Sequence, residues 1–438
     1  MTARQIAYTA LLRMDRAGSY SNLALDAVLE GESPSEADRR LASELFYGVL
    51  ERKLTLDSQL SRYLKKGAAA LDPEVRVSLE LGMYQLLYLA GVPQSAAVNE
   101  SVNLIKRSKK RSASGLVNGV LRSFLRDGCK IVLPEGGWLE RTAVATGMPA
   151  AILRIWERDY GRETAEALAE SCLGRPPLHF RVNPLRADVP EAVEAFRADG
   201  AEAVPHPLLP GCLEVRRPGS IARLKAFREG LAAVQDSASQ LCALAVGARP
   251  GERIFDLCAA PGSKSFVMAQ EMKNRGEILA FDLHESRTGL IRQGAERLGL
   301  TCIRAEAGDA SRFNPALGQA DRVLCDVPCS GLGIIRRKPE IRYKTEAELA
   351  ALPPVQAAIL DNAARYVRPG GVLVYSTCSL NRAENEDVVR GFLEKHPEME
   401  PDPMPAGLPA AGGKAQATLM PMDGFDGFFI ARMRRRGP

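Results

Sequence analysis

The stretch Ile254-Phe255-Asp256-Leu257-Cys258-Ala259-Ala260-Pro261-Gly262-Ser263-Lys264 joins a short apolar run to a loop of small residues and then to the start of a helical pattern. A strand that ends in an acid, turns through Ala, Pro and Gly and opens a helix is the first half of a βα unit. Backbone N–H groups at such a helix start can meet a carboxylate or a phosphate. The spacing is neither GxGxxG nor GxxxxGK[ST], because only Gly262 precedes Lys264, so nucleoside triphosphate binding is not expected. A tight turn without bulky side chains lets a large ligand approach the backbone closely. A βα turn of purely structural role would read the same way.

Outward from this loop the pattern repeats. Strands predicted at 253–257, 277–282, 301–306, 322–325 and 371–376 alternate with helices predicted at 263–272, 286–298, 353–367 and 383–396. Five βα units imply a parallel, doubly wound, Rossmann-like sheet. The tail, Gly424-Phe425-Asp426-Gly427-Phe428-Phe429-Ile430-Ala431-Arg432, predicts one more strand, antiparallel at the sheet edge. Residues 398–413, rich in Pro, Gly and Ala, predict a loop.

Strand ends on one edge of a parallel sheet converge in space. Asp282, Asp309 and Asp326 each follow a predicted strand, and Asp282 stands about 20 residues beyond the loop, the spacing of an acid that holds a ribose diol. One such Asp alone would read as a helix cap. Three in one register with the small-residue loop suit S-adenosylmethionine, whose ribose and adenine need acceptors and whose carboxylate needs N–H donors. Two thiols share the same edge: Cys329 in Asp326-Val327-Pro328-Cys329-Ser330-Gly331 and Cys378 in Ser376-Thr377-Cys378-Ser379. Free cysteine is often a small buried hydrophobe, the reading given to Cys258, Cys302 and Cys325. Cys329 and Cys378 break apolar strands among polar or turn residues, a setting that favours reactivity over packing. At neutral pH an ordinary thiol is only a few per cent thiolate, so a nearby cation or helix start must assist.

The 438 residues, 46% hydrophobic and 25% charged, predict a soluble chain of two or three domains. No apolar run approaches a membrane span, and the start reads as an amphipathic helix and not a signal peptide, so a cytoplasmic location is expected. The nine cysteines lack CxxC spacing, so reduced thiols and no metal are expected. Residues 1–128 carry helical periodicity throughout, broken by turn signals near Gly31, Pro73 and Pro93, and predict an all-α domain. Residues 129–229 read as a linker and a small subdomain, with a helical piece at 149–169 and a strand start at His179-Phe180-Arg181-Val182-Asn183-Pro184. The sheet domain is predicted at 230–438. Residues 1–130 hold 19 Lys/Arg against 14 Asp/Glu, which is the whole net charge of +5, because the rest of the chain carries 39 of each. Their densest part, Lys106-Arg107-Ser108-Lys109-Lys110-Arg111, suits phosphates, or else it is a solvated helix end.

The residues 256–264, 326–331 and 376–379 quoted above resemble, in order, three motifs of the Sun-type RNA cytosine-C5 methyltransferases, and the resemblance extends over nearly the whole chain. Pro93-Gln94-Ser95-Ala96-Ala97-Val98-Asn99-Glu100 with Gly115-Leu116-Val117-Asn118-Gly119-Val120-Leu121-Arg122 resembles a NusB-like RNA-binding domain, which points to the bacterial branch acting on 16S ribosomal RNA. The resemblance implies an all-α NusB-like domain followed by a Rossmann-like class I S-adenosylmethionine methyltransferase domain. It implies that Cys258, Ala259, Ala260, Pro261, Gly262, Ser263 and Lys264 line the methionine end of the cofactor, that Asp282 holds its ribose, and that Asp309 approaches its adenine. Asp326 would lie between cofactor and target base. Cys378 would be the nucleophile that adds to carbon 6 of cytosine, and Cys329 would assist its release. The substrate would be 16S RNA, free or in an early small-subunit particle, with phosphates along Lys106, Arg107, Lys109, Lys110, Arg111, Arg181, Arg336, Arg337 and Lys338. A monomer is expected. The chain departs from the family at Ser263, where Gly is usual, and Ser tolerates positive φ less well.

Three other readings compete. The same chemistry on tRNA or 23S RNA keeps the site and changes the substrate. A non-catalytic assembly factor would not need both thiols and all three acids. A cysteine hydrolase would need a histidine partner, and His179, His206, His284 and His396 stand in no motif that supplies one.

Overall fold

A computed structural model of the protein describes residues 1–17 and 21–437. The chain forms two compact units, one of Met1–Arg175 with Ile335–Lys344 and one of Pro176–Ile334 with Thr345–Pro438.

The first unit is helical. Its boundaries follow the turn chemistry of the sequence: the Ser35 hydroxyl accepts from the Asp38 amide to cap the helix Glu36–Ser61, and Pro73 stands in the first turn of the helix Pro73–Tyr88. Val75, Val77, Leu79, Leu81 and Met83 bury that helix on nearly all sides, so it is the centre of the unit. A Cβ at Gly82 would come within 2.6 Å of Leu121 and 2.7 Å of Ser101, which fixes how closely the neighbouring helices approach. The helical piece expected at 149–169 is two helices, Ala150–Tyr160 and Arg162–Ser171, broken at Gly161 with φ 84°. The segment Ile335–Lys344 packs in this unit: the Arg342 guanidinium donates to the Cys172 carbonyl at 3.0 Å and the Tyr343 hydroxyl to the Leu50 carbonyl at 2.7 Å.

The second unit holds two sheets. The smaller has strands β1 (His179–Val182), β2 (Glu202–Pro205), β3 (Cys212–Arg216) and β4 (Ala232–Val234) in the antiparallel order β2-β3-β1-β4. The larger contains β5 (Arg253–Asp256), β6 (Glu277–Asp282), β7 (Ile303–Ala307), β8 (Ala320–Asp326), β9 (Val367–Thr377), β10 (Met399–Pro401), β11 (Gln416–Leu419) and β12 (Phe428–Arg435). Its order is β10-β12-β9-β8-β5-β6-β7, and β5 to β9 run parallel. Both faces are covered: Ile254, Ile278, Leu324 and Val374 enter one apolar core, while their neighbours Phe255, Leu279, Val323 and Leu373 enter the other. The chain steps outward from β5 to β6 and β7, then returns to build β8 and β9 on the other side. The switch point therefore lies between β5 and β8, where ligands bind outside the strands' carboxyl ends.

Two expectations for the tail need correction. Strand β12 is antiparallel to β9, but it is not at the edge, because β10 and β11 pair with its other side. The stretch expected as loop contributes β10, three residues ending in Pro401, too short to carry a periodic signal.

Candidate active site

Strand β5 ends at Asp256, and the loop after it is tied to both neighbouring strands. The Leu257 amide donates to the Leu324 carbonyl at 2.9 Å and the Ala259 amide to the Phe281 carbonyl at 2.7 Å. Gly262 takes φ 105°, and a Cβ there would lie 2.6 Å from the Phe266 ring. Ser263 is the first residue of the helix Ser263–Glu271. The positive φ thus falls on Gly262, and Ser263 meets no backbone demand that a side chain would strain. Beneath the loop, burial pushes the Asp256 carboxyl up to about 7, against a 2.6 Å hydrogen bond from Ser265. Its second oxygen has no hydrogen-bond partner among the described residues.

The strand-end acids have distinct surroundings. Asp282 is buried, accepts from the His284 amide at 3.1 Å and pairs with Arg287 at 3.0 Å. Arg287 also donates to the Ala260 carbonyl at 2.9 Å, so one guanidinium joins the loop to Asp282. Asp309 is held below the usual carboxyl range by the hydroxyl and amide of Ser311. Asp326 accepts from Lys264 at 2.6 Å and from the Ser376 hydroxyl at 2.8 Å. Burial alone would lower the pKa of Lys264, but the charge and hydrogen bond of Asp326, with the neighbouring Cys242 and Asp236, together raise it.

Register brings the thiols together. Asp326 on β8 stands opposite Ser376 on β9, and both chains then leave the sheet through their cysteine loops. The Cys329 and Cys378 sulfurs are 3.2 Å apart, and both residues are half-buried. The hydrogen bond to Cys378, followed by burial, holds the Cys329 thiol well above its ordinary pKa. The Gly333 amide donates to the Cys378 carbonyl at 2.9 Å, so the two loops are also joined through the backbone.

The chain has relatives among known proteins. A family model described as 16S rRNA methyltransferase RsmB/F matches residues 243–434, the NusB family matches 1–126, and a RsmF/B-like ferredoxin-like domain matches 148–222. The Bacillus subtilis protein named "Probable ribosomal RNA small subunit methyltransferase B" is 37% identical over 100% of this chain and 99% of its own. The chain belongs to the RsmB family of RNA methyltransferases. A Pseudomonas syringae member, ribosomal RNA small subunit methyltransferase B, is 32% identical over 94% of this chain and 95% of its own. The crystal structure of PH0851 superposes with a TM-score of 0.83 over 99% of both chains at 26% identity. That of a methyltransferase homolog protein from Pyrococcus horikoshii gives 0.60 over 68% of this chain and 99% of its own, at 28% identity.

In this RsmB-family chain several expected site residues have other surroundings. Arg181 is a correction: it is only 7% exposed, donates to the Pro210 carbonyl at 2.8 Å and pairs with Glu271 at 3.5 Å. A guanidinium spent inside the fold does not present itself to a phosphate. Asn183, beside Arg181, is buried, donates to the Gly230 and Leu298 carbonyls and accepts from the Leu185 amide, so it serves the turn around Pro184. Lys106, Arg107, Lys109 and Arg111 are exposed at the end of the helix Gln94–Lys106 and just beyond it, and Lys110 pairs with Asp72 at 3.0 Å. Arg336 and Arg337 are half-buried, Arg336 donating to the Gly174 carbonyl at 3.3 Å, while Lys338 is exposed. Cys302 and Cys325 are buried, and Cys258 is half-buried with its thiol raised chiefly by burial. Sequence reasoning missed Arg287, Ser376 and the buried Glu384 as site residues.

Among the described residues no helix is long and apolar enough to cross a membrane. Nor does any cluster of three or more His, Cys, Asp or Glu side chains there form a set that could hold a metal.

Proposed function

We propose that this chain uses S-adenosylmethionine to methylate carbon 5 of a cytosine in 16S ribosomal RNA, through a covalent bond between Cys378 and the base. The observation that carries the reading is the 3.2 Å separation of the Cys329 and Cys378 sulfurs beside Asp326. The residues of the loop fit the cofactor. A Cβ at Gly262 would crowd Phe266 at 2.6 Å on a backbone at φ 105°, so the turn favours glycine there. Buried Asp282 supplies a ribose acceptor, and Asp309 a polar group beyond it for the adenine. When bound, the sulfonium supplies an electrophilic methyl group.

The protein's task is to make carbon 5 nucleophilic. Addition of the Cys378 thiolate to carbon 6 breaks the ring's aromatic conjugation and gives carbon 5 enamine character. Carbon 5 then takes the methyl group, loses its proton to a base, and the electron pair left behind expels Cys378 as thiolate. Cys329 is the neighbouring base. Its thiol must first give its own proton to solvent, which becomes easier once the Cys378 sulfur is a thioether and no longer a strong acceptor for it, and the thiolate then takes the proton from carbon 5. Asp326, fixed by Lys264 and Ser376, orients toward the base edge and stabilises the adduct. The base must leave its stack to be reached, which favours unpaired RNA, and Lys106, Arg107, Lys109 and Arg111 supply exposed charge for its phosphates. The names of the relatives support the small-subunit RNA as substrate, free or in an early particle. A monomer in the cytoplasm remains part of the proposal.

The test is product analysis. The protein is incubated with methyl-labelled S-adenosylmethionine and protein-free 16S RNA, and the RNA is digested to nucleosides. Label in 5-methylcytidine is expected, whereas label in another nucleoside would sink the proposed chemistry.

A further inference from the structure

Glu384 is fully buried on the short turn Arg382–Glu384 that follows β9. A buried carboxyl group is costly unless hydrogen bonds compensate it, and here five donors converge. One oxygen accepts from the hydroxyls of Ser330 at 2.5 Å and Ser379 at 2.8 Å and from the Asn381 amide at 3.2 Å. The other accepts from the Ser330 backbone N–H at 2.8 Å and from Gln356 at 3.0 Å. Ser330 directly follows Cys329, and Ser379 directly follows Cys378. Their hydroxyls also lie 2.7 Å from each other. Gln356 extends the network to the residue before Cys329, donating to the Pro328 carbonyl at 3.0 Å, and the Tyr375 hydroxyl fixes the turn through the Glu384 carbonyl.

We propose that Glu384 is a positioning residue that clamps the two cysteine loops to each other and so sets the distance between the reacting sulfurs. The inference rests on the reading of Cys378 and Cys329 as the reacting pair. An acceptor-only group suits this position, because every partner offers a donor. A glutamine has nearly the same shape but turns an NH2 toward those donors, which loosens the clamp without emptying the site.

The test compares wild type with Glu384→Gln in two ways. The first is the rate at which oxidised glutathione converts the Cys329 and Cys378 thiols to an intramolecular disulfide, releasing two molecules of reduced glutathione. Cys329→Ala, which leaves Cys378 without its partner, gives the background. The second is methyl transfer, resolved into kcat and KM for S-adenosylmethionine. A displacement of about 1 Å costs on the order of 100-fold in rate, so kcat is expected to fall by about that factor. KM should hold, because Glu384 bonds to neither the cofactor loop nor the strand-end acids. The disulfide should form at least several-fold more slowly.

Unchanged disulfide formation with reduced kcat would overturn the clamp, as would a variant matching wild type in both. If wild type methylates no RNA while the disulfide rates still differ, the clamp stands and the proposed function fails. Should Glu384→Gln not fold, Ser379→Ala removes one of the five hydrogen bonds. It should then slow disulfide formation, and an unchanged rate would count against the clamp.

Discussion

Gly262→Ala tests the cofactor loop at its tightest point. The new Cβ would lie 2.6 Å from Cζ of Phe266 and 3.2 Å from Cγ2 of Ile291, on a backbone at φ 105°. Phe266 and Ile291 are both buried in the core beneath the loop, so neither retreats freely. The backbone conformation costs a non-glycine residue of order 1–3 kcal/mol, and an extra core methyl of this kind costs about 1–3 kcal/mol more. The free protein relieves most of this by shifting the loop; the bound form must restore it. If about 1.4 to 2.8 kcal/mol falls on binding, affinity for S-adenosylmethionine drops about 10- to 100-fold. Titration calorimetry measures it directly, with a melting curve to show that the variant is folded. Ser263→Gly is the control. Ser263 is helical and strains nothing, so its replacement should leave affinity within about threefold. A Gly262→Ala protein that binds as tightly as wild type would refute the role given to the loop.

Other outcomes follow from burial and charge. Asp256 has its carboxyl pushed up to about 7 from 3.8 by burial. Between those values the folded protein keeps a proton that the unfolded chain has lost, so stability falls as pH rises through this window and levels off above it. Asp256→Asn should flatten that decline in melting temperature between pH 5 and 8, with a remainder from Glu80, also raised to about 7 chiefly by burial; an unaltered profile would mean that Asp256 is not the proton holder. Lys109→Ala should lower the slope of log affinity against log salt for RNA by about 1, while Arg181→Gln, whose parent side chain is spent on Pro210 and Glu271, should leave the slope unchanged. Equal slopes for both variants and wild type would remove Lys109 from the RNA footprint.

The central parallel strands β5, β6, β8 and β9 were legible because they are largely buried and carry apolar runs, as in Val372-Leu373-Val374-Tyr375, whereas β7 at the end of the order is largely exposed. Of the antiparallel strands, β12 was legible from its apolar tail and β1 as a strand start, whereas β2 and β10 were not. Strand β2 is largely exposed and β10 has three residues, so neither imposes a period on the sequence. Acids and thiols that end apolar runs announce themselves, which is why Asp282, Asp326, Cys329 and Cys378 stood out in the sequence as candidates. Arg181 illustrates the opposite case, since a cation's charge says nothing about whether its partner is a phosphate or a carbonyl 29 residues away. Glu384 carries no local signal either. Its meaning comes from Ser330, 54 residues earlier, and only the pairing of β8 with β9 brings the two together.

The covalent step is the centre of the proposed mechanism, and one experiment reaches it. Wild type, Cys378→Ala and Cys329→Ala are each incubated with S-adenosylmethionine and 16S RNA and run on a denaturing gel beside a methyl-transfer assay. The mechanism predicts turnover without a persistent adduct for wild type, neither adduct nor transfer for Cys378→Ala, and an accumulating RNA–protein adduct for Cys329→Ala. A Cys378→Ala protein that still becomes covalently joined to RNA would contradict it and exchange the roles of the two cysteines.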